Sequence, residues 1–213
     1  SVAQAALPAP GERIAAAESA AAAGIQSDYF SSCEFNSGLW TFVDPRGDGA
    51  VQLSGGRLEI AVPSGTNHDV WSYGNNSARV MQTAENVDIE VEVKFESSVQ
   101  AAYALQGILV EQDANSYLRF DFYGNGNNIM LFAAKFVGGK PSVTYNSAIA
   151  AGGAAPLYLR VRRLGNEWTQ SYSLDGQNWA QGASFSHDLS VSAVGVFAGN
   201  SGVNPAHTAV VDY

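Results

Sequence analysis

Between Val87 and Phe95 the chain reads Val-Asp-Ile-Glu-Val-Glu-Val-Lys-Phe, with every odd position apolar and every even one charged. A period of two sorts side chains onto opposite sides only if the backbone is extended, so this segment is a strand with one face on a core and one in water. Leu58-Glu59-Ile60-Ala61-Val62 repeats the pattern. Runs at 104–111 and 117–123 flank the turn text Gln112-Asp113-Ala114-Asn115-Ser116 and predict a hairpin. Further strands are expected at 129–137, 157–163, 167–173 and 193–198. Loops such as Gly124-Asn125-Gly126-Asn127-Asn128, and 22 glycines set between short apolar runs, predict an all-β, two-sheet antiparallel sandwich.

The opening is different in kind. Gly11-Glu12-Arg13-Ile14 leads into an alanine-rich run to Gly24, which predicts a short helix with a glycine stop. It has few large side chains to bury, so residues 1–26 are expected to form a linker or clasp, and residues 27–213 the sandwich. Ala3-x-Ala5 matches the small-residue pattern of a signal-peptidase site, which points to export processing or trimming of the start.

Charge excludes two classes of partner. The formal net charge is -9 and no run of lysine or arginine is long enough to follow a phosphate backbone, so nucleic acid is not expected. An acidic surface is also repelled by anionic lipid, and no apolar stretch is long enough for a spanning helix. Neutral glycans, cations and proteins remain. The lone Cys33 allows no intrachain disulfide and has no neighbouring cation to activate it.

Three segments carry a resemblance. They are Phe35-Asn36-Ser37-Gly38-Leu39-Trp40-Thr41-Phe42-Val43-Asp44-Pro45 behind Asp28-Tyr29-Phe30; Gln106-Gly107-Ile108-Leu109-Val110-Glu111-Gln112-Asp113 running into Tyr117-Leu118-Arg119-Phe120; and Tyr172-Ser173-Leu174-Asp175-Gly176-Gln177-Asn178-Trp179 followed by Val194-Gly195-Val196-Phe197-Ala198-Gly199. Together they resemble the concanavalin A-like lectin/glucanase domains of the DUF1349 group, related to the sandwich appended to some bacterial β-xylosidases. The resemblance spans about residues 27–213. It implies a jelly roll of two curved antiparallel sheets in an exported, often multidomain, bacterial polysaccharide-handling protein. Members of the group continue a few residues past the Asp212-Tyr213 position, which implies neighbouring domains of the same protein as partners.

Candidate sites follow from this reading. Glucanases of the superfamily set two glutamates around an aspartate on alternate positions of one strand, so that nucleophile and general acid straddle the glycosidic bond. The nearest text is Asn86-Val87-Asp88-Ile89-Glu90, where the first glutamate is replaced and the charges fit a solvated face. No catalytic residue is expected. In Tyr117-Leu118-Arg119-Phe120-Asp121-Phe122-Tyr123, alternation puts Tyr117, Arg119, Asp121 and Tyr123 on one face. Arg119 and Asp121 there are either a surface ion pair or the polar floor of a sugar groove exposed to solvent. His68-Asp69-Val70-Trp71-Ser72-Tyr73-Gly74-Asn75-Asn76-Ser77-Ala78-Arg79 holds aromatic, amide and guanidinium groups. Trp71, Tyr73, Asn76 and Arg79 are candidate sugar contacts, or else Trp71 is core and Arg79 its cap. Gln106 opens the adjoining strand and is expected in the same groove. Trp40, Trp168 and Trp179 are expected to be structural, with Trp179 closing its hairpin onto the core. Arg46-Gly47-Asp48 lies in a turn and, despite spelling the integrin tripeptide, is expected to serve that turn.

Sandwich lectins of this general kind often hold Ca²⁺ where first and last strands meet, which implies Asp28 and Asp212 as candidate ligands of a structural Ca²⁺, the alternative being two ordinary terminal aspartates. The leading expectation is a noncatalytic polysaccharide- or oligosaccharide-binding domain with no required cofactor. The alternatives are a glycoside hydrolase or lyase, and a structural or adhesive module.

Overall fold

The structure, a computed structural model, describes residues 24–71 and 74–213, and among these there is no helix, hence none long and apolar enough to cross a membrane. The helix expected before Gly24 lies outside the described residues. One sheet has the spatial order β1 (Thr41–Val43), β6 (Ala78–Thr83), β15 (Ala193–Asn200), β8 (Ala104–Asp113), β9 (Ser116–Gly124), β10 (Ile129–Val137) and β11 (Lys140–Ile149). The other runs β14 (Trp179–Ser186), β13 (Glu167–Ser173), β12 (Leu157–Leu164), β7 (Ile89–Phe95), β16 (His207–Val211), β3 (Arg57–Val62) and β2 (Ala50–Ser54). Two short strands, β4 (Val70–Trp71) and β5 (Gly74–Asn75), make a separate antiparallel ribbon.

Every described pairing is antiparallel, and the two sheets stack as a jelly-roll sandwich. Period two decides what each strand gives to the core. Ile89, Val93 and Phe95 point between the sheets, while Glu90, Glu92 and Lys94 face out. There Glu92 accepts two hydrogen bonds from Arg160, at 2.6 and 2.9 Å, so the charged row is a solvated face as its alternation predicts. Strands β3, β12 and β16 contribute Leu58, Ile60, Leu159, Val161 and Ala209, and the first sheet meets them with Ile108, Val110, Leu118, Phe120 and Phe122.

Two sequence expectations need correction here. Trp40 and Trp168 are buried, but Trp179 does not close onto the core. It lies on the outward face of the second sheet, with the Arg160 guanidinium 3.7 Å over its ring. Gln106 is not in a groove. It shares the inward parity of Ile108 and Val110, and is fully buried between the sheets. Its Oε1 accepts from Ser97 Oγ (2.7 Å) and lies 3.1 Å from His207 Nε2, while its Nε2 donates to the Ser97 carbonyl (2.8 Å).

That arrangement makes stability depend on pH. Burial lowers the His207 pKa to about 4, because an imidazolium at this depth lacks water. The unfolded chain binds the proton near pH 6.5. Stability is therefore whole above about pH 6.5 and falls progressively as pH drops toward 4. His207 is not fully buried, so screening holds the loss to roughly 2 kcal/mol. Urea unfolding across that window, compared with His207→Gln, is expected to show a shallower slope in the variant than in the wild type.

Candidate functional site

The first sheet has a second apolar layer on its outward side, which an ordinary sandwich leaves to water. Register explains its composition. One row crosses the strands as Arg79, Phe197, Gly107, Asp121, Phe132 and Asn146, and the next as Met81, Gly195, Leu109, Arg119 and Ala134. Val70, Leu105, Tyr117, Phe136 and Phe197 join this layer, with Trp71 and Tyr123 packed against it. The β4–β5 ribbon lies over it. Trp71 meets Phe132 and Phe136 edge-on at 6.0 and 5.9 Å, and Tyr117 stacks on Phe136 at 4.2 Å.

Beneath this cover sit Arg119 and Asp121. They share a face as alternation predicts, but they are not displayed to solvent: Arg119 is 5% exposed and Asp121 0%. Nε and Nη2 of Arg119 donate to the two carboxylate oxygens of Asp121 at 2.8 and 2.9 Å, and Nη1 donates to the Val70 carbonyl at 2.7 Å. Burial pushes the Asp121 carboxyl up and Arg119 pulls it back. Burial also opposes the Arg119 charge, yet the adjoining Asp121 carboxylate raises its pKa on balance. The two-pronged geometry is that of an ionised pair. The solvent-exposed floor expected for these two residues is thus replaced by a buried pair that pins the ribbon to the sheet.

Other sequence candidates are distributed around the ribbon. Arg79 lies 3.1 Å from Glu111, which also accepts from Asn75 Nδ2 at 3.2 Å. Burial pushes the Glu111 carboxyl up, against the pull of Arg79 and Asn75. Asn76 donates its backbone N–H to the Asp69 carbonyl at 3.0 Å, within the same ribbon. Tyr73 lies outside the described residues. At the root of the ribbon, buried His68 has Nε2 2.7 Å from Asp48 Oδ1 and Nδ1 3.0 Å from the Thr66 carbonyl. Its backbone N–H donates to Asn200 Oδ1 at 2.9 Å, and Arg46 Nε donates to the Asn67 carbonyl at 3.0 Å. The Arg46-Gly47-Asp48 turn is therefore used to hold this root.

Asp28 and Asp212 are engaged elsewhere. Asp28 accepts from the Phe30 N–H (2.8 Å) and the Trp40 indole (3.0 Å), and Asp212 meets Lys94 Nζ at 2.7 Å. With an ammonium and two N–H donors already facing them, these two carboxylates do not fit the oxygen cage a Ca²⁺ needs.

Next to the ribbon, an open cavity of about 280 Å³ has walls from Trp71, Tyr103, Leu105, Tyr123, Phe132 and Val143, with Asp69, Arg119, Asn146 and Ser201 as its polar groups. Tyr123 donates its hydroxyl to Asn146 Oδ1 at 3.1 Å, and Ser201 Oγ donates to Asp69 Oδ2 at 3.1 Å. Sequence reasoning missed Tyr103. It is 44% exposed and holds a left-handed φ of 65°, which few non-glycine residues adopt. Its N–H donates to the Gly124 carbonyl, its carbonyl accepts from the Ser201 N–H, and Gly202 leaves room for the ring. An exposed ring held in an unfavourable conformation beside a cavity was signalled in the sequence only as an aromatic ahead of β8. Flat apolar walls with a few convergent amides and hydroxyls suit a small polar ligand that has apolar faces.

No family model and no curated protein matches the sequence. Solved structures do. The GH43 protein BlXynB (K247S mutant) of Bacillus licheniformis superposes with a TM-score of 0.69 at 18% identity, covering 87% of this chain and 37% of that one. The chain thus spans little more than a third of that protein. The carbohydrate binding module CBM66 of Bacillus subtilis matches at TM-score 0.56 and 13% identity, over 80% of this chain and 91% of the module. A legume lectin-like domain from Entamoeba histolytica matches at TM-score 0.61 and 13% identity, over 82% and 87%. At these identities the likeness is one of fold, a two-sheet antiparallel β-sandwich of the jelly-roll, concanavalin A-like type.

Proposed function

We propose that this chain is a noncatalytic saccharide-binding domain that holds its ligand in the cavity beside the β4–β5 ribbon. The observation that carries this reading is the pairing of aromatic walls, Trp71, Tyr103 and Tyr123, with the neutral polar groups of Asn146 and Ser201. Sugars offer patches of C–H above and below a ring of hydroxyls, so flat rings and planar amides recognise them together. A carbohydrate binding module and a lectin-like domain among the neighbours of the same fold support the reading. The possible acid-base carboxylates argue against hydrolysis: Asp121 is enclosed with Arg119, and Glu111 with Arg79. The finer expectation, an exported multidomain bacterial protein related to the DUF1349 group, belongs to the same proposal. So does a glycan partner on which neighbouring domains act.

Retention on polysaccharide affinity gels and binding to an oligosaccharide array test it. Trp71→Ala and Tyr103→Ala are each expected to weaken binding by about tenfold; Tyr103→Ala leaves thermal unfolding nearly unchanged, whereas Trp71→Ala also lowers it by stripping the contacts with Phe132 and Phe136. Full affinity in both variants, or no retention of the wild type on any glycan, overturns the reading.

A further inference from the structure

We infer that the cavity selects neutral saccharides and rejects those bearing carboxylate or sulfate groups; this rests on the saccharide-binding reading above and names its ligand class. An anionic sugar needs a cation with donors to spare, since charge-assisted hydrogen bonds are what offset the loss of its hydration. Among the described residues that line the cavity, Arg119 is the one cation. Three of its five N–H donors are committed, Nε and Nη2 to Asp121 and Nη1 to the Val70 carbonyl, its charge is already matched by Asp121 and by Asp69 at 3.6 Å, and at 5% exposure it offers the cavity little else. Freeing any of them would break a buried pair and loosen the ribbon that forms the cavity wall.

The second charged group on the wall has the wrong sign for an anion. Asp69 Oδ1 lies 3.6 Å from Arg119 Nη1 and accepts from the Val70 N–H at 2.8 Å, and its Oδ2 is held by the Ser201 hydroxyl. Its carboxylate faces the cavity and repels an incoming uronate or sulfate. The remaining polar groups are an amide and hydroxyls. Because Asn146 Oδ1 takes the Tyr123 proton, its Nδ2 is left to donate to a sugar oxygen. A chain of net charge -9 adds long-range repulsion of any polyanion.

Isothermal titration of the full chain separates the possibilities. The probes are neutral oligosaccharides (xylan-, cellulose-, mannan- and galactan-derived) against oligogalacturonate and sulfated galactan fragments of matched length, each at low and high ionic strength. Neutral ligands are expected to bind with less than about a twofold change between the two salts, and acidic ones at least about tenfold more weakly. Asp69→Asn keeps the Val70 N–H on its amide oxygen, turns its Nδ2 to donate to the Ser201 hydroxyl, and is expected to improve acidic ligands more than neutral ones. Acidic fragments binding as tightly as neutral ones, with affinity falling as salt rises, overturns the neutral class while leaving saccharide binding intact. An Asp69→Asn chain that folds normally but shifts neither series removes the role given to that carboxylate and overturns the inference as argued. Silence of the wild type with every probe is the distinct result that removes the binding reading and this inference with it.

Discussion

Alanine in place of Asp121 is expected to lower the unfolding free energy by about 3–5 kcal/mol, because it strands a guanidinium that is 5% exposed. Both prongs of the pair are lost, at 2.8 and 2.9 Å, from a carboxylate that is 0% exposed. Arg119→Ala is expected to be of similar size, since it leaves the Asp121 carboxylate buried alone. The double substitution Arg119→Met/Asp121→Leu removes both charges together, and is expected to recover most of the loss. Urea denaturation of the wild type, the two single variants and the double variant checks this. If the single variants cost under 1 kcal/mol, the pair behaves as a surface ion pair and its burial under the ribbon is wrong.

Gly107→Ala is the second large effect, expected to destabilise by about 3 kcal/mol or more. Gly107 stands opposite Asp121 in the β8–β9 register. A Cβ there would run into the Phe120 carbonyl oxygen and come within 2.5 Å of Asp121 Cβ. Neither neighbour can yield. Phe120 is anchored in the core by Trp168 and Phe185, and Asp121 is fixed by Arg119. The expected result is a chain that unfolds at lower urea and loses saccharide affinity, since the displaced pair no longer holds Val70 and Trp71. By contrast Gly165→Ala, where a Cβ meets nothing and the cost is confined to a φ of 58°, is expected to cost about 1 kcal/mol. Comparing the two separates overlap from backbone strain.

Much of this architecture was readable in advance where one face of a strand is wet. The alternation at 87–95 gave β7 both its existence and its orientation, and the run at 117–123 put Arg119 and Asp121 side by side. Alternation failed where both faces are dry. In β8 the stretch Ala104–Val110 is buried throughout, so its parity is hidden, and Gln106 was assigned to the wrong side. The strand β11, Lys140–Ile149, and the strand β14, Trp179–Ser186, are edges with exposed polar text, which carries little periodic signal. The place of Trp179 after the Leu174-Asp175-Gly176 turn predicts a hairpin closed onto the core, but a guanidinium stacked on its ring lets it stay on the outward face. The cation expected at Asp28 and Asp212 came from their position at the two ends of the domain, and the neighbours that occupy them, Trp40 and Lys94, are far away in sequence.

The sequence by itself determined that this chain makes strands, which residues share a face where one side is wet, and that it carries a formal net charge of -9. Those properties are local or summed, fixed by a two-residue repeat and by counting charges. Tertiary structure alone decided that Arg119 and Asp121 are enclosed, because the cover arrives from Val70, 49 positions earlier in the chain. It also decided that Tyr103 stands beside Trp71, because β8, β9 and β10 converge with the ribbon there. Burial and the walls of a cavity are relations between distant segments, and no spacing along one segment encodes them.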